Sequence, residues 1–411
     1  GDNAGNDITT ANKTVFIGRY AGDAVTTTGG SSVSDGTIGI GYDALTALTS
    51  GAGNLAIGYQ AGASLTTSGH NIILGKNTMD AADGGESYNI AIGHQALTAA
   101  NHVNTQGSVA VGYQALAALT DGPQNTAVGK SALNALTVGD GNTAIGFQAA
   151  DSFGVNEQYN TIVGMGAMGA FDEGTNGHID HNIALGYDTL RGADLGTASV
   201  TVSDNIAIGS EALNATADNA QTGTIAIGRN ALGALTSGTA NTAVGHQSLK
   251  LLTAGINNAV FGYNAFDAAD GTESNNVAIG AYAMTAIDEG SGDCDANVCI
   301  GMQAGMGGAT GSFSNNVAIG YASLDGTGTE SVDDVVAIGY AALGGATEAA
   351  ISGSVAVGSQ ALEDLVSGTQ NTAVGYQAAM DMTTGDDNTF IGYQSGVGTD
   401  AGSTPDGNTA V

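Results

Sequence analysis

His178 and His181 flank Asp180 in a glycine-bearing loop, a spacing that could set imidazoles from neighbouring copies around a metal ion on a symmetry axis. Carboxylates gather with glycine in further loops: Asp80, Asp83 and Glu86; Asp267, Asp270 and Glu273; Asp288, Glu289, Asp293 and Asp295; Asp386 and Asp387. Oxygen ligands of this kind suit Ca²⁺. Their spacings match neither an EF-hand loop nor the glycine- and aspartate-rich nonapeptide. Solvated, mutually repelling loops are the plainer reading. Asp288, Asp293, Asp295, His178 and His181 are the metal candidates, Ca²⁺ is the one cofactor considered, and no other is expected. Cys294 and Cys299 stand close enough for a small disulfide loop. Acid–base pairs for glycoside hydrolysis could be assembled from the acidic loops, which offer no reason to choose one pair. No nucleophile elbow, P-loop or H-E-x-x-H is present, and the chain reads as non-enzymatic.

What must position these residues is a repeat. The pentapeptide N-T-A-V-G at Asn125–Gly129 returns with small changes through the whole chain, 21 times complete and once truncated at Val411, about once per 19 residues. Its closing glycines stand 17 to 23 residues apart, so one coil needs about 17 residues and a variable loop absorbs the rest. Such a period predicts a stacked solenoid, each coil burying its apolar face against its neighbours. The expected fold is an all-β parallel solenoid of about 22 coils of 17–23 residues, one domain over 1–411. At roughly 4.8 Å per coil its length would be on the order of 100 Å.

The second and fourth motif residues are β-branched or otherwise small and apolar, as in Thr126 and Val128 or Ile206 and Ile208, and are expected to face inward. The third is Ala in 15 of 22 copies and is never polar. If it faces outward, something covers it. Ala56, Ala91, Ala127, Ala144, Ala207, Ala243, Ala318 and Ala373 are therefore read as an oligomer interface, a homotrimer wound about an alanine stripe, with an intrachain layer as the alternative. The first residue is Asn in 16 of 22 copies, which predicts a stacked amide ladder. The glycine predicts a corner. Leucines three apart after it (Leu45/Leu48, Leu133/Leu136, Leu232/Leu235) fit either a short helical turn or an extended piece.

The residue after the glycine is Tyr in nine coils: Tyr42, Tyr59, Tyr113, Tyr187, Tyr263, Tyr321, Tyr340, Tyr376 and Tyr393. Arg19, Lys76, Lys130, Arg229, His94 and His246 share the row. The row could stack on sugar rings. A self-stacking ladder with cation–π pairs fits its regularity better. Threonines such as Thr126, Thr143, Thr242 and Thr372 raise ice binding, which the expected inward orientation of their motif position opposes.

Seven basic against 39 acidic residues give a net charge of −32, which opposes nucleic acid and anionic membranes as partners. No apolar run approaches the roughly 18–20 residues that span a bilayer, so no membrane insertion is expected. The chain opens on Gly1 without a signal peptide and stops inside a repeat, which reads as a processed or partial segment.

Coils such as N-T-A-V-G-Y-Q-A at 371–378, N-N-V-A-I-G-Y-A-S-L at 315–324 and S-V-A-V-G-Y-Q-A-L at 108–116 resemble the repetitive shaft of phage tail fibres and the head repeats of trimeric autotransporter adhesins. The resemblance covers essentially the whole chain. It implies a trimeric parallel β-solenoid that forms or displays an adhesive fibre, located outside the cell on a virion or a bacterial surface. It also implies a host-surface glycan or protein as partner. The longer coil is closer to the tail-fibre pattern. A polysaccharide-degrading tailspike is the enzymatic rival.

Overall fold

The computed structural model describes residues 1–6, 13–25, 34–171, 177–192, 201–215, 221–285, 294–307, 311–328, 330–345, 350–398 and 406–411. Every regular element among them is a short strand, and each copy of the motif forms one. The fold is an all-β parallel solenoid. It divides into two compact units, one mainly of Gly1–Ala207 and one mainly of Ala220–Val411.

In the first unit ten motif strands, from Val15–Ile17 to Ile183–Leu185, pair in parallel in chain order. Eleven strands of the second unit, from Ile225–Ile227 to Thr409–Ala410, do the same. The register is constant, motif position against motif position, so that Thr126, Ala127 and Val128 face Thr143, Ala144 and Ile145. Like side chains therefore form ranks running across each sheet.

The phase of those ranks reverses the expectation from sequence. The middle residue points inward: Ala56, Ala91, Ala127, Ala144, Ala207, Ala243, Ala318 and Ala373 are all fully buried within a single chain. The alanine stripe is thus each coil's own core and not an oligomer interface. The second and fourth residues point outward and are half-buried or exposed, as at Ile57, Ile145 and Phe261.

The reason lies in the width of the coil. Opposite the alanines, the segment after the glycine sends in Ala115, Leu116 and Leu119, with Leu45/Leu48, Leu133/Leu136 and Leu232/Leu235 in equivalent places, all fully buried. The leucines fill the narrow interior and leave space for little more than a methyl group. At Phe16, Cys299 and Phe390 the facing turn carries glycine in place of leucine, whereas the coils of Ile162 and Val260 keep Met168 and Phe266 there, both fully buried. A Cβ on Gly22 would lie 2.5 Å from the Phe16 ring, one on Gly305 2.5 Å from Cys299 Sγ, and one on Gly396 2.5 Å from the Phe390 ring.

The leucine segment is neither helix nor strand. It runs through tight turns, Leu119 N–H donating to the Leu116 carbonyl at 3.4 Å, with alternate residues left-handed: Gln114 at φ 55° and Leu116 at φ 50°. Bonds between coils hold these strained residues, Gln114 N–H reaching the His94 carbonyl and Leu116 N–H the Ala132 carbonyl, both at 3.1 Å. At the corner, a Cβ on Gly129 (φ 140°) would lie 2.6 Å from the carbonyl carbon of Gly146 and overlap its oxygen. Only glycine lets successive corners stack this closely.

The first motif residue forms the expected ladder. Asn142 donates to Asn125 Oδ1 from its N–H at 3.0 Å and its Nδ2 at 3.1 Å, while Nδ2 also donates to the Glu157 carbonyl at 2.7 Å. Asn160 and Asn182 repeat the pattern, as do Asn258, Asn276 and Asn297 in the second unit. These buried amides satisfy backbone carbonyls that would otherwise be stranded at the corner.

Candidate functional site: the outer sheet face and its aromatic border

Two features dominate the surface of the coils. The first is the outer face of each sheet, two ranks of β-branched side chains from motif positions two and four. Across all 22 copies neither position holds a charged residue. Ile17 is 57% exposed and Val15 42%, values unusual for aliphatic side chains in a continuous array. Ten strands about 4.8 Å apart, with two outward ranks, make a strip on the order of 500 Å². The threonines lie here too: Thr126, Thr143, Thr242 and Thr372 face outward, contrary to the orientation expected from sequence. Ile and Val interrupt them, so they form no continuous threonine array.

The second feature is the row after the glycine, which borders this face. Its rings stack on one another coil by coil. Tyr42 and Tyr59 lie 5.3 Å apart at 9°, Tyr321 and Tyr340 5.7 Å apart at 9°, and Tyr376 and Tyr393 5.5 Å apart at 12°. His94 stacks on Tyr113 and His246 on Tyr263. Lys130 Nζ sits 5.8 Å from the Tyr113 ring centre and 5.5 Å from that of Phe147, and Lys76 Nζ lies 5.7 Å from the Tyr59 ring. Each stacked pair covers one face of each of its rings, and the tyrosines stay about half exposed or more, up to 72% at Tyr393. Tyr187 belongs to the same row and is 45% exposed.

The metal candidates do not converge. Asp288 and Asp293 lie outside the described residues. Among the described residues no three His, Cys, Asp or Glu side chains are grouped to hold an ion. His181 stacks on Tyr159 at 5.4 Å, whereas the exposed His178 has its Nδ1 4.0 Å from Oδ2 of the half-buried Asp180. Asp180 Oδ1 accepts from the Gln158 N–H at 2.8 Å, and Asp295 Oδ1 from the Ser274 N–H at 2.6 Å. Asp333 and Asp386 bond Ser314 N–H and Thr369 N–H in the same way. These aspartates, two places before the motif, are struts between coils.

A second set of acids was not legible as a set. Glu86, Glu157 and Glu273, each three places before its Asn, are buried and accept the N–H of Gly84, Gly154 and Gly271, closing their own loops. Their common offset from the motif was the available signal.

Cys294 and Cys299 are both buried thiols, and the disulfide loop that their spacing allows is not formed. Cys299 takes the alanine position and points into the core against Gly305, while Cys294 Sγ lies 3.7 Å from Asn297 Nδ2. Burial pushes the Cys299 thiol up to about 12, so it stays protonated and inert.

Among the described residues no helix is long and apolar enough to cross a membrane. Compared with models of known protein families and with curated proteins, the chain matches none.

Proposed function

We propose that this chain is a non-enzymatic structural and adhesive element, a repetitive segment of a phage tail fibre that acts outside the cell in attachment to a host surface. The observation that carries the reading is the outer sheet face. Two uncharged ranks, mainly of Ile, Val, Leu and Thr, run along the motif strands of each unit, half-buried or exposed in the single chain, on a chain whose charge is −32. Contiguous apolar strips of this order on soluble proteins are often interaction sites. The occupant is a second copy of the same chain. Two strips of about 500 Å² bury about 1,000 Å² together, the level a specific interface requires, and each further coil adds to it. No acidic residue occupies the two outward positions of any motif, so identical chains approach without opposing charges on these ranks. A homotrimer with its three faces turned to a common axis is the closed arrangement we assign.

A bacterial surface adhesin is the alternative setting, since it needs the same covered face. Sedimentation equilibrium tests the assembly, with about 120 kDa expected for three chains of 40.1 kDa. A species of 40.1 kDa at all concentrations would sink the reading. The non-enzymatic part is checked by incubating the assembled protein with host capsular polysaccharide. Unchanged viscosity is expected, and a fall would make it a depolymerase.

A further inference from the structure

The residues that immediately precede each motif form a second column on the surface. Its members are left-handed: His70 at φ 62°, Tyr88 at 65°, Gln124 at 62° and Tyr159 at 57°. The rings of His70 and Tyr88 stack at 5.1 Å and 8°. In the coil after Tyr88 the same place is held by Gly107, at φ 66°. The backbone conformation is therefore unchanged and only the side chain is missing. A Cβ on Gly107 would meet nothing nearer than Gln124 Cγ at 3.9 Å. With coils about 4.8 Å apart, Tyr88 and Gln124 stand about 9.6 Å apart, leaving one layer the thickness of a ring.

This gap opens into a cleft of about 680 Å³, the size of a small-ligand site. Its wall carries Tyr88, Val103, Gln124, Asp121 and Asp140. Tyr88 is 64% exposed, with one face on His70 and the other turned to the gap. Asp121 is held by His102 Nδ1 at 3.3 Å. Burial, and then the charge on Asp121, push the Asp140 carboxyl above its ordinary range. Here an aromatic plane, an aliphatic edge and two carboxylates meet in a slot one ring thick.

We propose that this slot binds a single pyranose ring of an uncharged saccharide. The apolar face of the sugar stacks on Tyr88 in the place Gly107 leaves open, while ring hydroxyls donate to Asp121 and Asp140 and bond the Gln124 amide. A purely apolar ligand would strip water from two carboxylates without replacing it. An acidic sugar or a nucleotide would meet like charge. Hydroxyls on a ring with one apolar face satisfy both walls. The inference deepens the adhesive half of the proposed function and rests on it for the class of ligand.

The test titrates the assembled protein with the methyl glycosides of glucose, galactose, mannose and N-acetylglucosamine, by calorimetry and saturation-transfer NMR. At least one is expected to saturate a single site per chain. Gly107→Tyr, which restores the missing layer in a conformation Tyr88 already adopts, and Tyr88→Ala, at an exposed position, are each expected to weaken that binding at least about tenfold. Absence of saturable binding by all four glycosides overturns the proposal, as does wild-type affinity in either variant. Sedimentation of the same samples separates this from the assembly reading: assembled protein that binds no glycoside sinks the slot alone, and monomers that bind one sink the assembly alone.

Discussion

At the scale of single residues, the corner glycine and the ladder asparagine carry the stacking. Gly129→Ala places a methyl group against the Gly146 carbonyl and asks an L-residue to hold φ 140°. It is expected to lower stability by about 3–5 kcal/mol, at the upper end for point substitutions, read as a fall in the urea midpoint. Asn142→Ala strands the Glu157 carbonyl and removes the acceptor for both Asn160 donors. A loss of about 1–3 kcal/mol is expected by the same measurement. Cys299→Ala should cost about 1 kcal/mol, because Gly305 faces it where the coils of Ala278 and Ala318 carry Met284 and Leu324, and the lost sulfur leaves a void. A variant as stable as the wild type would contradict the assignment of the middle position to the core.

Among the elements, the strand and its period were legible in the sequence, as were the corner and the amide ladder, since each follows from a residue type recurring at one spacing. The side of the strand facing inward was not. In a three-residue strand, β-branched residues flanking alanine suggest that the larger pair is the core. The leucine turn overrides this by filling the coil from the opposite wall, while Ile, Val and Thr serve the outer pleat. One clue was present: glycine replaces leucine four places after the corner at Gly22, Gly62, Gly305 and Gly396. Phe16, Ile73, Cys299 and Phe390 each have one of these glycines facing them. That exchange places the middle residue against the turn, hence inside. The turn itself was ambiguous because left-handed leucines and glutamines have no signature in side-chain spacing. The aromatic row was recognised from sequence, and the structure adds that its rings stack within one chain. The outward ranks give a prediction of their own. Val128→Lys with Ile145→Lys should leave the coils folded, since both side chains are partly in water, yet weaken self-association strongly, with apparent stability falling as assembly is lost. If self-association is unchanged, the face is not an interface.

For the whole molecule, acidity and assembly are coupled. Asp80, Asp140, Asp267 and Asp325 all have carboxyls raised above 3.8, burial being the first cause in each. A raised carboxylate binds protons in the folded state before it does in the unfolded one. Its charge therefore opposes folding above the folded value, and the penalty fades as pH falls through that value. Relief of the −32 net charge acts in the same direction. The melting temperature is expected to rise as acidification first enters the carboxylate range, where these four groups take up protons before the unfolded chain does, and a fall there from the outset would contradict the account. The measurement that bears most directly on the covered sheet face is sedimentation equilibrium of the wild-type chain beside the Val128→Lys, Ile145→Lys variant at neutral pH. The account predicts about 120 kDa for the wild type and 40.1 kDa for the folded variant. A wild type sedimenting at 40.1 kDa, or a variant that stays assembled, would contradict it.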